Sequence, residues 1–315
     1  MSKLAFIFPG QGSQSIGMGA GLSERFPESR SLYKEASAIL GWDLLHICRE
    51  GPEEKLRETD ITQPALYVTG IAAATVLMNR GINPEAAAGH SIGEYAALAA
   101  AGVFSFAEGL KLVEQRSRLM KDAARRHPGG MAAILGLNSE QTVAVCSQAS
   151  SRGVCVAVNF NSPEQVVIAG ETAALAEASK LALANGAKRV IPLNVSGAFH
   201  SPLMKEAALA MKALLEKAPF REPRFPVAMN ADGRLHSTAA EIRAQLALQL
   251  DHPVRWVDSI RSLSGGGFSS FIECGSGRVL AGLLKRIEKS LEVRTTESAE
   301  ALEQITAKQS TAGKE

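Results

Sequence analysis

Three residues stand where their types and surroundings could do nucleophilic chemistry: a serine in a glycine turn, an arginine inside an apolar helix face, and a histidine just ahead of a helix. Gly89-His90-Ser91-Ile92-Gly93 fits the G-x-S-x-G nucleophile elbow. Ala86-Ala87-Ala88 leads into it as a strand. The helix-forming run Glu94–Ala101 leads out, and Gly102 suits the C′ position that closes a helix. Ser91 then falls at a helix N-terminus, where free N–H groups and the dipole favour developing negative charge. Taken alone, the same five residues also fit a tight turn with an incidental serine.

Arg116 is out of place on its helix. Leu112, Val113, Leu119, Met120 and Ala123 form one apolar stripe at helical spacing, and Arg116 lies in its middle. Lys111, Arg118, Lys121 and Arg125 fall on the polar side. A buried, unpaired charge is very costly, so Arg116 calls for an anionic partner. That partner is either an internal carboxylate, with a snorkelling side chain as a further structural option, or the carboxylate of a ligand, which arginine's planar fork suits.

A serine hydroxyl is a weak nucleophile until a base takes its proton, and histidine is the usual base near neutral pH. His200 lies in the loop before a helix that Ser201 caps and Pro202 begins. Asp122 is the one aspartate between Ser91 and His200, and it projects from the polar side of the Arg116 helix. A backbone carbonyl is the better orienting group. The Ile92 N–H and the loop Gly10-Gln11-Gly12 offer donors to an oxyanion. His46, His90, His127, His236 and His252 are expected to be structural or surface residues.

Positioning these groups falls to an α/β chain. Lys3–Phe8 predicts a central strand. Helices are expected over Pro27–Leu40, Glu53–Arg57 and Asp60–Asn79, and from a Ser105/Glu108 capping box to Arg126. From Gly130 to Leu193 the order becomes βαββαβ, the ferredoxin-like arrangement. Further strands are expected at Pro226–Met229, Phe268–Glu273 and Leu291–Arg294. Residues past about Thr306 are polar and expected to fray.

The 315 residues, with 46% hydrophobic and 21% charged content, describe an ordinary globular chain. Net charge +2 and the lack of a Lys/Arg run argue against nucleic-acid binding. The apolar start ends at Pro9 and reads as a buried strand rather than a signal peptide. No uninterrupted apolar stretch reaches the ~18 residues of a membrane span. Cys48, Cys146, Cys155 and Cys274 show no CxxC or metal-ligand spacing, so reduced thiols in a cytoplasmic protein are expected.

Five stretches together give the chain a resemblance to the malonyl-CoA:acyl carrier protein transacylases over nearly its full length. They are Phe8–Gln14 (FPGQGSQ), Gly89–Glu94 (GHSIGE), Gln115-Arg116, Gly197–Ser201 (GAFHS), and Gln249 with Asp251-His252-Pro253-Val254. The resemblance implies an α/β-hydrolase-like large domain with a parallel sheet (1–127 and 196–315) and an inserted ferredoxin-like domain (128–195). It implies Ser91 as nucleophile, His200 as general base, and Arg116 as the grip on the malonyl carboxylate. Gln11 and Ile92 would supply oxyanion-hole N–H groups, and a backbone carbonyl near Gln249 would orient the histidine. The implied partners are malonyl-CoA and an acyl carrier protein that brings its own phosphopantetheine; no resident cofactor or metal is implied, and a monomer serving fatty-acid synthesis is expected. The Ala-Phe-His-Ser form is similar to malonyl-selective members. Gly275-Ser276-Gly277-Arg278 departs from the frequent Gly-Pro-Gly-Lys, outside the catalytic set. A serine esterase or thioesterase, and a non-catalytic carrier-docking subunit, are the competing readings. Lys188 and Arg189 are candidate contacts for an acidic carrier surface.

Overall fold

The computed structural model describes residues 3–312, with side chains to residue 307. Its strands are β1 (Lys3–Phe8), β2 (Ala86–Gly89), β3 (Gly130–Leu135), β4 (Cys155–Ser162), β5 (Gln165–Gly170), β6 (Arg189–Pro192), β7 (Val227–Ala228), β8 (Leu235–His236), β9 (Phe268–Glu273) and β10 (Glu292–Thr295). Ala5 and Ile7 of β1 face a core built on Trp256, Ile260 and Leu280, while Phe6 and Phe8 face the opposite core. All four are buried, as expected of a strand covered by helices on both faces. The strand lies inside a six-stranded sheet of order β10-β9-β1-β2-β7-β8, parallel from β10 to β7, with β8 antiparallel at the edge.

The helix Thr59–Asn79 packs among the helices Pro27–Leu40 and Gly93–Ala100, with Gly70 close to Phe8 of β1. By length and composition it could cross a membrane, with a mean hydropathy of 1.4, but 89% of its most apolar window is buried inside the protein. A helix apolar all round is what a core position demands. The helix Phe106–Arg126 lies against it, started by the expected Ser105/Glu108 capping box. This contact carries Arg116 into the interior.

Strands β3 to β6 form a second, antiparallel sheet of order β4-β5-β3-β6. Helices Ser139–Ala149 and Thr172–Ala184 cover it, with a core of its own around Ile134, Val145, Ile168 and Ala178. β4 is tied by backbone to the segment just ahead of the helix Trp256–Gly265: Phe160 N–H donates to Val254 O at 2.9 Å, and Val254 N–H donates to Val158 O at 2.7 Å. This tie brings Asn159 and Asn161 of β4 towards the elbow.

Some elements differ from expectation. The chain after Thr306 does not fray at once: a helix spans Ala299–Ala312, because Leu302 and Ile305 at helical spacing are buried in the core and anchor it. Residues 313–315 lie outside the described residues. Helices Ala20–Arg25 and Leu44–Glu50 are additional to the expected elements and are too short to leave a periodic signal. After Ser201 the chain makes a single 3-10 turn, Pro202–Met204, before the helix Lys205–Lys217.

Candidate active site

The elbow joins β2 to the helix Gly93–Ala100, and its shape depends on two glycines. A Cβ at Gly89 would lie 2.0 Å from the Gly93 carbonyl carbon, and one at Gly93 would lie 2.1 Å from Phe8 O. Only glycine lets the turn close against the end of β1. Ser91 is held at φ 51°, and His200 at φ 60°. These are the two non-glycine residues with positive φ among the described residues, and such strain is kept only where surroundings enforce it.

Ser91 Oγ lies 2.7 Å from His200 Nε2, and His200 Nδ1 lies 2.7 Å from Gln249 O. A carbonyl can only accept, so Nδ1 carries the proton and Nε2 presents its lone pair to the Ser91 hydroxyl. Burial, then the nearby Arg116 charge, hold the imidazole down to about 3. His200 is therefore neutral at neutral pH. Asp122 is exposed on the far side of its helix.

Arg116 is fully buried, and of its two candidate partners the internal carboxylate is absent: among the described residues no carboxylate lies within salt-bridge distance of it. Its acceptors are neutral. Nη1 donates to Gln63 Oε1 at 2.6 Å, Nε and Nη2 donate to Gln249 Oε1 at 3.0 and 2.8 Å, and Nη2 donates to Ser91 Oγ at 3.1 Å. The guanidinium also stands over the Tyr95 ring at 5.5 Å. Burial lowers its pKa, but a guanidinium keeps its charge.

Beneath the elbow a set of amides fixes the serine's backbone. Ser91 N–H donates to Asn230 Oδ1 at 2.7 Å, Asn230 Nδ2 donates to Gly89 O at 2.6 Å, and Gln249 Nε2 donates to Ser91 O at 2.8 Å. Asn230 N–H and Gln249 Nε2 both donate to the buried Glu94 carboxylate. Burial pushes that carboxyl up to about 8, against the pull of Asn230, Gln249 and Arg116.

Ser91 and His200 face a cavity of about 60 Å³ whose wall includes Gln11, Gln63, Ile92 and Phe199. The Gln11 and Ile92 amides have no acceptor in the chain among the described residues. His200 also borders an outer cleft of about 430 Å³, walled by Cys146, Val156, Phe160, Pro202 and Arg255. The structure thus brings Ser91, His200, Arg116, Gln249, Gln11 and Ile92 to one place. His90, expected to be merely structural, lines the inner cavity and bonds Asn161 Oδ1 through Nε2 at 2.8 Å. Lys188 is elsewhere: it pairs with Glu164 at 3.3 Å, at the end of the β3–β6 pair remote from Met131 and Leu193.

Gln63, Glu94, Asn161 and Asn230 are the residues that sequence reasoning missed. Gln63 and Glu94 did leave a signal, since each is a polar residue inside an apolar helix and such residues are rarely buried without a partner.

Residues 5–310 match the family model described as the acyl transferase domain. The chain is 42% identical to the malonyl CoA-acyl carrier protein transacylase of Salmonella typhimurium, over 96% of this chain and 98% of that protein. The protein of the same name from Bacillus subtilis is also 42% identical, over 96% of each. Among solved structures, that of a type II PKS acyl-carrier protein in complex with its malonyl-transacylase matches with a TM-score of 0.94 at 41% identity, covering 98% of this chain and 100% of that chain. An acyl carrier protein S-malonyltransferase from Vibrio cholerae gives 0.92 at 42% identity, covering 96% and 100%. Fold and site define an acyltransferase with a serine in its elbow. The chain belongs to the acyl transferase family, among the malonyl-CoA:acyl carrier protein transacylases.

Proposed function

We propose that this protein moves malonyl from malonyl-CoA to the phosphopantetheine thiol of an acyl carrier protein, by a ping-pong route through malonyl-Ser91, in support of fatty-acid synthesis. One observation carries the reading. A fully buried arginine with only neutral acceptors donates, at 3.1 Å, to the same serine oxygen that a neutral histidine meets at 2.7 Å. The site has a nucleophile, a base, and a positive charge waiting for an anion.

In the first half-reaction His200 Nε2 takes the Ser91 proton as Oγ bonds to the thioester carbon. The oxyanion is received by the unpaired N–H groups of Gln11 and Ile92. The carbon–sulfur bond then breaks, the imidazolium returns the proton to sulfur, and CoA leaves. In the second half the carrier's thiol loses its proton to His200 and attacks the ester, and Ser91 Oγ departs with that proton. The Gln249 carbonyl keeps Nδ1–H in place and stabilises each imidazolium. The malonyl carboxylate is clamped by Arg116, and an acetyl group would leave the arginine unpaired. No step calls for a bound metal or resident cofactor.

Several features support the wider reading. The parallel run β10-β9-β1-β2-β7 with an elbow after β2 fits an α/β-hydrolase-like domain of 1–127 and 196–315. The antiparallel order β4-β5-β3-β6 fits an inserted ferredoxin-like domain of 128–195. Every group that the steps above use comes from one chain, so the reading needs no second copy. Four free, buried cysteines suit a cytoplasmic setting.

The test is covalent labelling with radioactive malonyl-CoA. Wild-type protein retains label, Ser91→Ala retains none, and the label moves to carrier protein when it is added. Label on Ser91→Ala would place the nucleophile elsewhere. Rapid loss of label to water without a carrier would favour an esterase.

A further inference from the structure

Glu94 takes no part in the steps above, yet it is a buried carboxylate one helical turn after the nucleophile. Its Oε1 accepts from Asn230 N–H at 2.5 Å, and its Oε2 accepts from Gln249 Nε2. Because both oxygens are acceptors, the Gln249 amide has one possible orientation. Its nitrogen faces Glu94 and Ser91 O, and its oxygen faces Arg116, where it takes two of the arginine's hydrogen bonds. With the amide turned over, an NH2 group would face the guanidinium, donor against donor. Two acceptors hold the amide's nitrogen on that side, the Ser91 carbonyl and the Glu94 carboxyl, and the second is a side chain that can be changed.

We infer that Glu94 is a positioning residue for acyl selection: through the Gln249 amide it holds the Arg116 guanidinium towards the Ser91 acyl site. It stands behind Arg116 at one remove, joined to it only through that amide. A carboxylate bonded directly to the arginine would compete with the ligand's own. Placed behind an amide, it supports the arginine while leaving the front of the fork open. The inference rests on the proposed role of Arg116 as the malonyl grip.

Glu94→Gln is the informative change. The oxygen of the introduced amide still accepts from Asn230 N–H, but its NH2 now meets the Gln249 NH2, donor against donor, and displaces the Gln249 amide from its place beneath the guanidinium while Ser91 O still accepts from its nitrogen. The Gln249 backbone carbonyl is untouched, so His200 stays oriented. The expected result is a split. KM for malonyl-CoA rises, and the preference for malonyl over acetyl falls, each on the order of tenfold or more, as for lost hydrogen bonds to a charged group. The rate of Ser91 labelling by a fluorophosphonate, which needs the Ser91–His200 pair and no carboxylate grip, stays within about twofold.

Gln249→Leu and the double variant complete a cycle. If Glu94 acts through the Gln249 amide, the double variant is no worse than Gln249→Leu alone. Should Glu94→Gln fail to fold, the cycle is run with Glu94→Asp, whose shorter carboxylate loses the Gln249 bond and gives the same split. Three results would overturn the inference: an unchanged malonyl preference, equal losses in malonyl transfer and fluorophosphonate labelling, or additive losses in the cycle. Arg116→Ala run in parallel separates the two levels. If it leaves the malonyl preference intact, the proposed grip has failed; if it destroys the preference while Glu94→Gln does not, only the role of Glu94 has.

Discussion

Arg116 and Lys121 sit on the same helix, and the protein treats their charges in opposite ways. Lys121 reaches Glu58 and Asp60 at 2.8 Å each, with about a quarter of its side chain exposed. Burial pulls its pKa down, but Asp60 and Glu58 outweigh that and the net shift is upward. Its charge is satisfied within the chain, and its work is to join this helix to the start of Thr59–Asn79. Arg116 is fully buried and has a hydroxyl and two amide oxygens for company. By stability alone that is a poor arrangement, because a desolvated charge with neutral partners is not compensated. The contrast suggests how to tell a structural cation from one reserved for a ligand: count the carboxylates within reach, then ask what lies in front of the side chain.

The contrast depends first on the nucleophile that Arg116 faces. Ser91→Ala should lower malonyl transfer by on the order of 10⁴-fold or more in a steady-state assay with carrier protein, as for other serine enzymes. Arg116→Ala should lower malonyl kcat/KM by about 10²-fold and acetyl transfer far less, measured with the two CoA esters side by side. Equal losses would reduce Arg116 to a packing residue.

A third expected outcome concerns pH. An ordinary histidine titrates near 6.5, but His200 is held down to about 3. Between these values it stays neutral in the folded protein and remains a base. The acid limb of kcat/KM for malonyl-CoA should therefore lie well below 6.5, with activity at pH about 5 still near its plateau. Over the same window the unfolded chain binds a proton that the folded chain does not. His200 thus costs stability as pH falls from about 6.5 towards 3, and costs none above it. A kcat/KM that halves near 6.5 would show an unperturbed base.

The smallest effect is the control. Lys121→Met should leave kcat/KM within about twofold and lower stability by about 0.5–1 kcal/mol, read as a small fall in Tm. A large activity loss there would erase the distinction between the two cations.

The sequence showed the site's ends better than its middle. Ser91 announced itself by its glycines, Arg116 by standing in an apolar stripe, and His200 by its place before a capped helix. Each is a local pattern. Asn230 and the side chain of Gln249 carry no such pattern, because a buried amide is defined by what it meets across the fold. Only the backbone of Gln249 was expected to matter, yet its side chain joins Arg116, Glu94 and Ser91 O. A lone histidine such as His90 ordinarily reads as structural; its place in the cavity wall depends on β4, which the Val254 tie brings alongside. The strands and long helices were legible because their periods are strong. The C-terminal helix was not, since two buried residues, Leu302 and Ile305, hold an otherwise polar segment.

The account turns on Arg116 reserving Ser91 for a carboxylated acyl group, and intact-protein mass spectrometry tests that directly. Wild-type protein and Arg116→Ala are each mixed with equal malonyl-CoA and acetyl-CoA, without carrier protein, and the acyl group on the Ser91 peptide is identified. Wild-type protein should carry malonyl almost exclusively, and Arg116→Ala should carry a much larger share of acetyl. The same malonyl-to-acetyl ratio on both proteins would contradict the account.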